Sequence, residues 1–362
     1  MRRSVVCTLL LMLAAPPARA LPPGWYTPPE NAPYFAEEMR VRSHETHSLG
    51  GTLTIPSRAV LADGRRLRYP AIVLVTGAGK QNRDHTAAAD LDSAVLGGPV
   101  YRPYYELADT LSRRGIAVLR LDDRGVGAST GSQDSATTFD RSYDIRTAIE
   151  VLRRRPDIDP KRIGILGLSE GALIASMIAA ADSGVHGIVL MASPSGTGRE
   201  TVRWQRQHGL AGDSALAVGQ ADTSLAGQMS EWDRRAETDP WLRFFASYNP
   251  LSTARRVTAP VLILQGDADD VVPPEGAQRL AQAFRDGGNR DVTVRILPGL
   301  THTMLRARDF AHGAPDASSY RLPVEVKGDV AQWVTSRFGG PTISQTPPPQ
   351  KRPFRRRHHR RR

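Results

Sequence analysis

A serine, a group of aspartates and a histidine, in that chain order and each just past a short apolar run, are the residues that could do covalent chemistry here. Ser169 lies in Gly167-Leu168-Ser169-Glu170-Gly171, between the apolar run Ile163 to Leu166 and an Ala-rich segment ending near Ala181. That succession reads as strand, sharp turn, helix. Glycines at both second-neighbour positions allow a tight, strained turn that lifts the hydroxyl above the sheet edge. A side chain at either would strike the neighbouring strand or helix. The turn also leaves the first helical amides unpaired, aimed where an oxyanion would form. Ser169 is thus a candidate nucleophile for acyl transfer, and a serine hydroxyl needs a base that a carboxylate orients. Gly266-Asp267-Ala268-Asp269-Asp270 leaves one expected strand, and Pro298-Gly299-Leu300-Thr301-His302 leaves the last. His302 is the candidate base, and the three aspartates are the candidate acids.

The glycine-serine-glycine spacing occurs twice. Gly127-Ala128-Ser129-Thr130-Gly131 follows the strand-like run Ile116 to Leu121, but it leads into Ser132-Gln133-Asp134-Ser135, a polar loop with no helix start behind it. Ser129 reads as turn chemistry.

These residues need a frame. Glu38 to Arg42 and Gly51 to Ile55 read as short strands joined by a turn at Leu49-Gly50-Gly51. His44 and His47 flank that hairpin, but on strands they face opposite ways and no further ligand is near, so no metal site is expected. The apolar run Ala71 to Val75 enters Thr76-Gly77-Ala78-Gly79-Lys80. A phosphate-binding loop would need glycine at Leu74 and a hydroxyl residue at Gln81, and a dinucleotide turn would need glycines at Gln81 and Arg83. What survives is a glycine-rich loop whose amides face the pocket, with Ala78 as the candidate donor. Helical patterns at Tyr101 to Arg114 and Ser142 to Arg154 alternate with strand patterns at Ile116 to Leu121 and Gly187 to Met191. From Gly196 to Tyr248 no strand pattern appears. That stretch holds Trp204, Trp232, Trp241, Phe244 and Phe245, and reads as a helical insertion placed to hang over the pocket. Alternation resumes with strand Val261 to Gln265, helix Glu275 to Phe284, strand Val292 to Leu297 and a closing helix at Val330 to Phe338. Such alternation predicts a mainly parallel sheet covered on both faces, with its site at the carboxyl ends of the strands.

With 362 residues and 40% hydrophobic composition, the chain can build one large α/β domain or two small ones. Arg2 and Arg3, the apolar stretch Val5 to Ala15, and Ala18-Arg19-Ala20 form a signal-peptide pattern, so export to the periplasm or beyond is expected. No other run is long and apolar enough for a membrane helix. Cys7, the single cysteine, lies inside the leader, and the mature fold is expected to rely on packing. The net charge of +11 suggests a nucleic-acid partner only until it is located. Eight Lys or Arg in Lys351 to Arg362 and three Arg in the leader account for all of it. The body is near neutral, and no specific nucleic-acid partner is expected. The basic tail reads as a low-complexity arm that could adhere to anionic envelope components.

The ordered set Ser169, acid loop, His302 resembles the α/β-hydrolase superfamily, and within it the bacterial secreted esterases grouped with dienelactone-hydrolase-like and serine-aminopeptidase-like proteins. The resemblance runs from about Met39 to Phe338. It implies an α/β-hydrolase fold, a mainly parallel central sheet flanked by helices, with a helical lid insertion. The expected division is a signal peptide at 1–20, a Pro-rich linker at 21–35, the core at 36–195 and 249–339, the insertion at 196–248 and a basic tail at 340–362. The family's G-x-x-D-x-x-V-P spacing selects Asp269 as the acid, and P-G-x-x-H selects His302. Its oxyanion donors correspond to the backbone N–H groups of Glu170 and Ala78, with Thr76 where the family usually has histidine. The resemblance implies cleavage of a small-molecule carboxylic ester through an acyl-enzyme on Ser169, without metal or organic cofactor. An aminopeptidase on the same machinery is the alternative, its acidic pocket supplied by Glu170 or by Glu231 and Asp233. A non-catalytic module that binds envelope polymers is the third reading.

Overall fold

Alternating apolar residues divide each inner strand between two cores. In the computed structural model, which describes residues 24–343 except 44–45, 58–65, 87–99, 135, 209–223 and 311–315, the strands are β1 (Tyr34–Ser43), β2 (His47–Pro56), β3 (Leu67–Val75), β4 (Ala117–Leu121), β5 (Ile158–Leu168), β6 (Ile188–Met191), β7 (Val261–Gly266), β8 (Val292–Leu297) and β9 (Thr342–Ile343). The helices are α1 (Pro103–Ser112), α2 (Thr138–Arg153), α3 (Glu170–Ala181), α4 (Gly198–Gln207), α5 (Leu225–Thr238), α6 (Pro240–Ser247), α7 (Pro250–Ala254), α8 (Gly276–Asp286) and α9 (Val324–Phe338).

The sheet runs in the order β1-β2-β4-β3-β5-β6-β7-β8. Pairing is antiparallel across β1–β2 and β2–β4, then parallel from β4 through to β8. Ala71, Val73 and Val75 of β3 and Ile163 and Ile165 of β5 join the core formed with α2, α3 and α8. Ile72, Leu74, Leu166 and Leu168 join the opposite core, formed with α1 and α9. Each large aliphatic side chain so buried contributes about 1.5–3 kcal/mol. The two-sided cover fixes the strand ends, where the loops of interest begin.

Several local features depart from expectation. The first hairpin does not turn at Leu49-Gly50-Gly51, which lies within β2 and pairs with Val41, Arg40 and Met39. Those glycines serve close packing instead. A Cβ on Gly50 would stand 2.4 Å from that of Ala128, and one on Gly51 would stand 2.4 Å from the Arg120 carbonyl oxygen. The expected linker at 21–35 is docked over the stretch the structure describes: Arg102 lies 4.1 Å over the Trp25 ring and Arg83 4.1 Å over Tyr26. The second predicted helix starts earlier, at Thr138, because Thr137 and Asp140 form a capping box. The closing helix likewise starts at Val324 rather than Val330. The leader with Cys7, the tail Lys351 to Arg362, and His44 lie outside the described residues.

Between β6 and β7 the described residues form four helices, α4 to α7, and no strand. Trp232 is fully buried with Val202, Met229, Leu242 and Phe245 against Leu173 of α3, so these helices share a small core. Among the described residues no helix is long and apolar enough to cross a membrane.

Candidate active site

β5 ends at Leu168 and α3 begins at Glu170, so Ser169 alone makes the turn. It does so with φ 57° and ψ −118°, a region that costs a residue bearing a Cβ about 1–3 kcal/mol and that neighbouring packing must enforce. The two glycines permit that packing. A Cβ on Gly167 would stand 2.0 Å from the Gly171 carbonyl oxygen, and one on Gly171 would stand 2.1 Å from that of Val75. The Ser169 amide donates to the Met191 carbonyl at 2.9 Å, which continues the β5–β6 ladder into the elbow. Glu170 and Gly171 open the helix, where amides have no intrahelical acceptor.

The acid and histidine loops are built together. Gly266 passes so near the histidine loop that a Cβ there would sit 2.0 Å from the Leu300 carbonyl oxygen. Asp267 accepts a hydrogen bond from the Gly299 amide at 2.6 Å, a contact between the two loops and not with the imidazole. Asp270 is exposed at the cavity mouth. Asp269 faces His302: Nδ1 of the ring lies 3.1 Å from Oδ1 and 3.0 Å from Oδ2. The carboxylate also accepts from the amides of Val271 and Val272, both at 2.9 Å, and from Gln265 Nε2 at 2.8 Å. Burial pushes its pKa up, but His302 and the two amides outweigh burial and hold it below the usual carboxylate range. The histidine loop is pinned in turn by Tyr101, whose hydroxyl donates to the Thr303 carbonyl at 2.7 Å.

Ser169 and His302 line one cavity of about 680 Å³ with Gly77, Ala78, His85 and Asp270, its walls otherwise largely apolar. Ser169, Asp269 and His302 are each at least nine-tenths buried. Ala78 lies in the loop after β3, packed so closely on the elbow that a Gly77 Cβ would be 3.5 Å from the Ser169 Cβ. The structure therefore gathers every candidate site residue at one end of the parallel strands. Ser129 lies elsewhere: its Oγ donates to the Asp122 carbonyl at 2.7 Å and accepts from the Gly50 amide at 2.9 Å, bracing the loop after β4.

Sequence reasoning did not single out the polar groups behind this loop. Arg83 is buried and donates to Asp122 and Glu38, and Asp84 pairs with Arg102 and Arg120. The run Gln81-Asn82-Arg83-Asp84-His85, polar and yet just past the glycine-rich loop that follows a buried strand, was the available signal. His85 has φ 56°, lies tilted against the Tyr104 ring at 5.2 Å, and accepts a long 3.4 Å bond from the Gly77 amide at Nδ1. Burial, with His302 and Arg141 nearby, lowers its pKa to about 3, so its ring is neutral. Among the described residues, helices α4 to α7 add none to this cavity. Trp241 instead lines a neighbouring cavity of about 320 Å³ with Lys80, Asp134, Arg141, Glu170 and Asp239. Among the described residues no group of three or more His, Cys, Asp or Glu could hold a metal ion.

Known proteins share this frame. The uncharacterized peptidase YuxL of Bacillus subtilis (strain 168) is 29% identical over 225 residues, 59% of this chain and 30% of its own length. The uncharacterized protein Rv2307c of Mycobacterium tuberculosis (strain ATCC 25618 / H37Rv) is 30% identical over 201 residues, 54% of this chain and 57% of its own. The chain thus spans about half or less of these curated relatives. The Pyrococcus furiosus esterase PF2001 superposes with a TM-score of 0.56 at 16% identity, covering 86% of this chain and 94% of its own. Est1E of Butyrivibrio proteoclasticus, solved with ferulic acid bound, gives 0.55 at 17% identity, covering 83% and 98%. Those likenesses carry the fold. Residues 72–316, more than half of the sequence, match the alpha/beta hydrolase family, and with the sheet order and the Ser169 elbow in agreement, the chain belongs to that family.

Proposed function

We propose that this protein is a serine hydrolase that cleaves carboxylic esters. The observation that carries the reading is His302 Nδ1 held between both Asp269 oxygens, in a cavity shared with the strained Ser169. With Nδ1–H donated to the carboxylate, Nε2 is the basic nitrogen and takes the Ser169 proton as Oγ attacks the acyl carbon. The oxyanion that forms is received by the N–H groups of Ala78 and Glu170. His302 then returns the proton to the departing alcohol. Water, activated by the same imidazole, releases the acid and regenerates Ser169.

The walls of the cavity support an apolar substrate. Ala78, Leu168, Val271, Leu305, Ala307 and Phe310 favour an uncharged acyl or alkyl group. The amide alternative needs a carboxylate free to bind an amine. Glu170 already accepts from Arg141, Thr138 and Trp241, Asp233 pairs with Arg199, and Glu231 pairs with Arg234. Of the carboxylates at the cavity itself Asp270 alone is exposed, at its mouth, so the preference for the ester rests on the apolar walls, and Asp270 is the group that would hold an amine in the amide alternative. The signal-like leader supports export, and the basic tail supports salt-sensitive adhesion to anionic envelope polymers. Hydrolysis of p-nitrophenyl esters of increasing acyl length, beside aminoacyl p-nitroanilides, tests the reading. Ester turnover that disappears in Ser169→Ala is expected; turnover of anilides alone would transfer the machinery to the peptidase class.

A further inference from the structure

One guanidinium touches both halves of the proposed oxyanion hole. Arg141, in the first turn of α2, is 7% exposed. Its Nη1 donates to the Gly77 carbonyl at 3.0 Å and to Glu170 Oε2 at 2.5 Å. Its Nη2 donates to the Thr76 carbonyl at 3.2 Å, the Thr76 hydroxyl at 3.0 Å and Asp123 Oδ1 at 3.2 Å. The Gly77 carbonyl and the Ala78 N–H belong to one planar peptide unit, with N–H opposite C=O. A cation on that oxygen therefore fixes the direction of the N–H, and by polarising the peptide it makes the N–H a stronger donor. The second contact reaches the side chain of the residue whose amide is the other donor. We infer that Arg141 is the positioning residue of the oxyanion hole, clamping the Gly77–Ala78 peptide and Glu170 in one register; the inference rests on the serine-hydrolase reading above.

The surroundings fit a clamp better than a stabilising ion pair. Burial would lower the pKa of Arg141, but Asp123 and Glu170 together more than offset this and keep it charged. Buried ion groups of this kind are weak contributors to net stability, so their value must lie in geometry. Arginine suits the task because its rigid fork serves several acceptors at once, which an ammonium cannot reproduce. Glu170 is held from two further sides, by Thr138 Oγ1 at 2.6 Å and by Trp241 Nε1 at 2.8 Å. Since Trp241 belongs to α6, the helical insertion is tied to the same clamp. The capping box at Thr137 starts α2 early enough to deliver both Thr138 and Arg141.

The test compares wild type with Arg141→Lys, Glu170→Gln and Ser169→Ala, using p-nitrophenyl butyrate and butaneboronic acid, which forms a tetrahedral adduct on a nucleophilic serine. In Arg141→Lys, kcat should fall roughly 10- to 100-fold while KM stays within about threefold, since a misplaced donor costs somewhat less than a missing one. The inhibition constant of the boronic acid should rise by the same factor. The pH midpoint of kcat/KM should not move, because Arg141 does not contact the imidazole. Glu170→Gln keeps the backbone amide and the side-chain shape, so it provides the same paired change, smaller in size, should Arg141→Lys fail to fold. A folded variant whose kcat and boronic-acid affinity both stay within twofold of wild type overturns the clamp, as does a loss confined to KM. Full activity in Ser169→Ala would instead remove the underlying reading, so the two failures are distinguishable.

Discussion

Replacing Asp269 by asparagine changes one atom and should cost about 10⁴ in kcat, because the structure dictates which way the amide must turn. Oδ1 of Asp269 accepts from two backbone amides, Val271 and Val272, which cannot move. The asparagine oxygen must stay there, since an NH₂ group facing two N–H donors would lose both bonds and leave them buried and unpaired. Its NH₂ then occupies the position of Oδ2, facing His302 Nδ1 and Gln265. Nδ1 lies 3.0 Å from that NH₂ and 3.1 Å from the retained oxygen, whose lone pairs already serve the two backbone amides, so the NH₂ competes for Nδ1 as a donor and favours the tautomer with the ring proton on Nε2. In that tautomer the imidazole cannot take the Ser169 proton. The corresponding exchange in a serine protease of unrelated fold costs about 10⁴-fold, or roughly 5.5 kcal/mol of transition-state stabilisation. Initial rates on a saturating p-nitrophenyl ester measure it, with KM expected to change little. Stability gives a second signature. The Asp269 carboxyl is held below its ordinary pKa, so it contributes stability that is full above the unfolded value near 3.9 and lost as pH falls through the lower folded value. The wild-type advantage in urea midpoint should therefore be present at pH 7 and shrink below about pH 4. If Asp269→Asn keeps kcat within tenfold while Asp267→Asn or Asp270→Asn abolishes it, the assignment of the acid is wrong.

Ser129→Ala removes the hydroxyl that bridges the Asp122 carbonyl and the Gly50 amide, and should lower unfolding free energy by about 1–3 kcal/mol while kcat per folded molecule stays within threefold. Denaturant titration beside ester turnover checks it; lost turnover at unchanged stability would give the second motif a chemical role. His85→Asn should flatten the acid side of the stability profile. The unfolded chain binds a proton at this histidine near pH 6.5 and the folded one only at about pH 3, so stability falls as pH drops between those values. Relative to wild type, the variant should gain up to about 3 kcal/mol between pH 7 and pH 4. Parallel pH profiles for the two proteins would contradict the neutral ring.

The frame was legible because each inner strand is a short apolar run and each outer helix has an apolar face, so alternation alone implied a two-sided parallel sheet. The elbow was legible through context: Ser169 and Ser129 share a spacing, but only Ser169 lies between a strand and a helix. Among Asp267, Asp269 and Asp270 the residues alone left the acid open, and it was the resemblance to the family's G-x-x-D-x-x-V-P pattern that selected Asp269. The fold supplies the physical reason: Asp267 bonds Gly299 in the neighbouring loop, while Asp269 is aimed at the imidazole. The clamp was less legible still, since Arg141 meets Gly77 across 64 residues and Trp241 meets Glu170 across 71. No local periodicity encodes such pairs. The glycines of β2 misled for a related reason: Gly50 and Gly51 read locally as a turn, while their small size answers the approach of Ala128 and Arg120 from distant parts of the chain.

The central claim is that Ser169 is the nucleophile, and covalent labelling tests it most directly. After reaction with a p-nitrophenyl alkylphosphonate, intact mass and peptide mapping should find one adduct per chain, on the peptide containing Ser169, with esterase activity lost in step with labelling and no adduct in Ser169→Ala. An adduct on Ser129, or full ester turnover by Ser169→Ala, would contradict it.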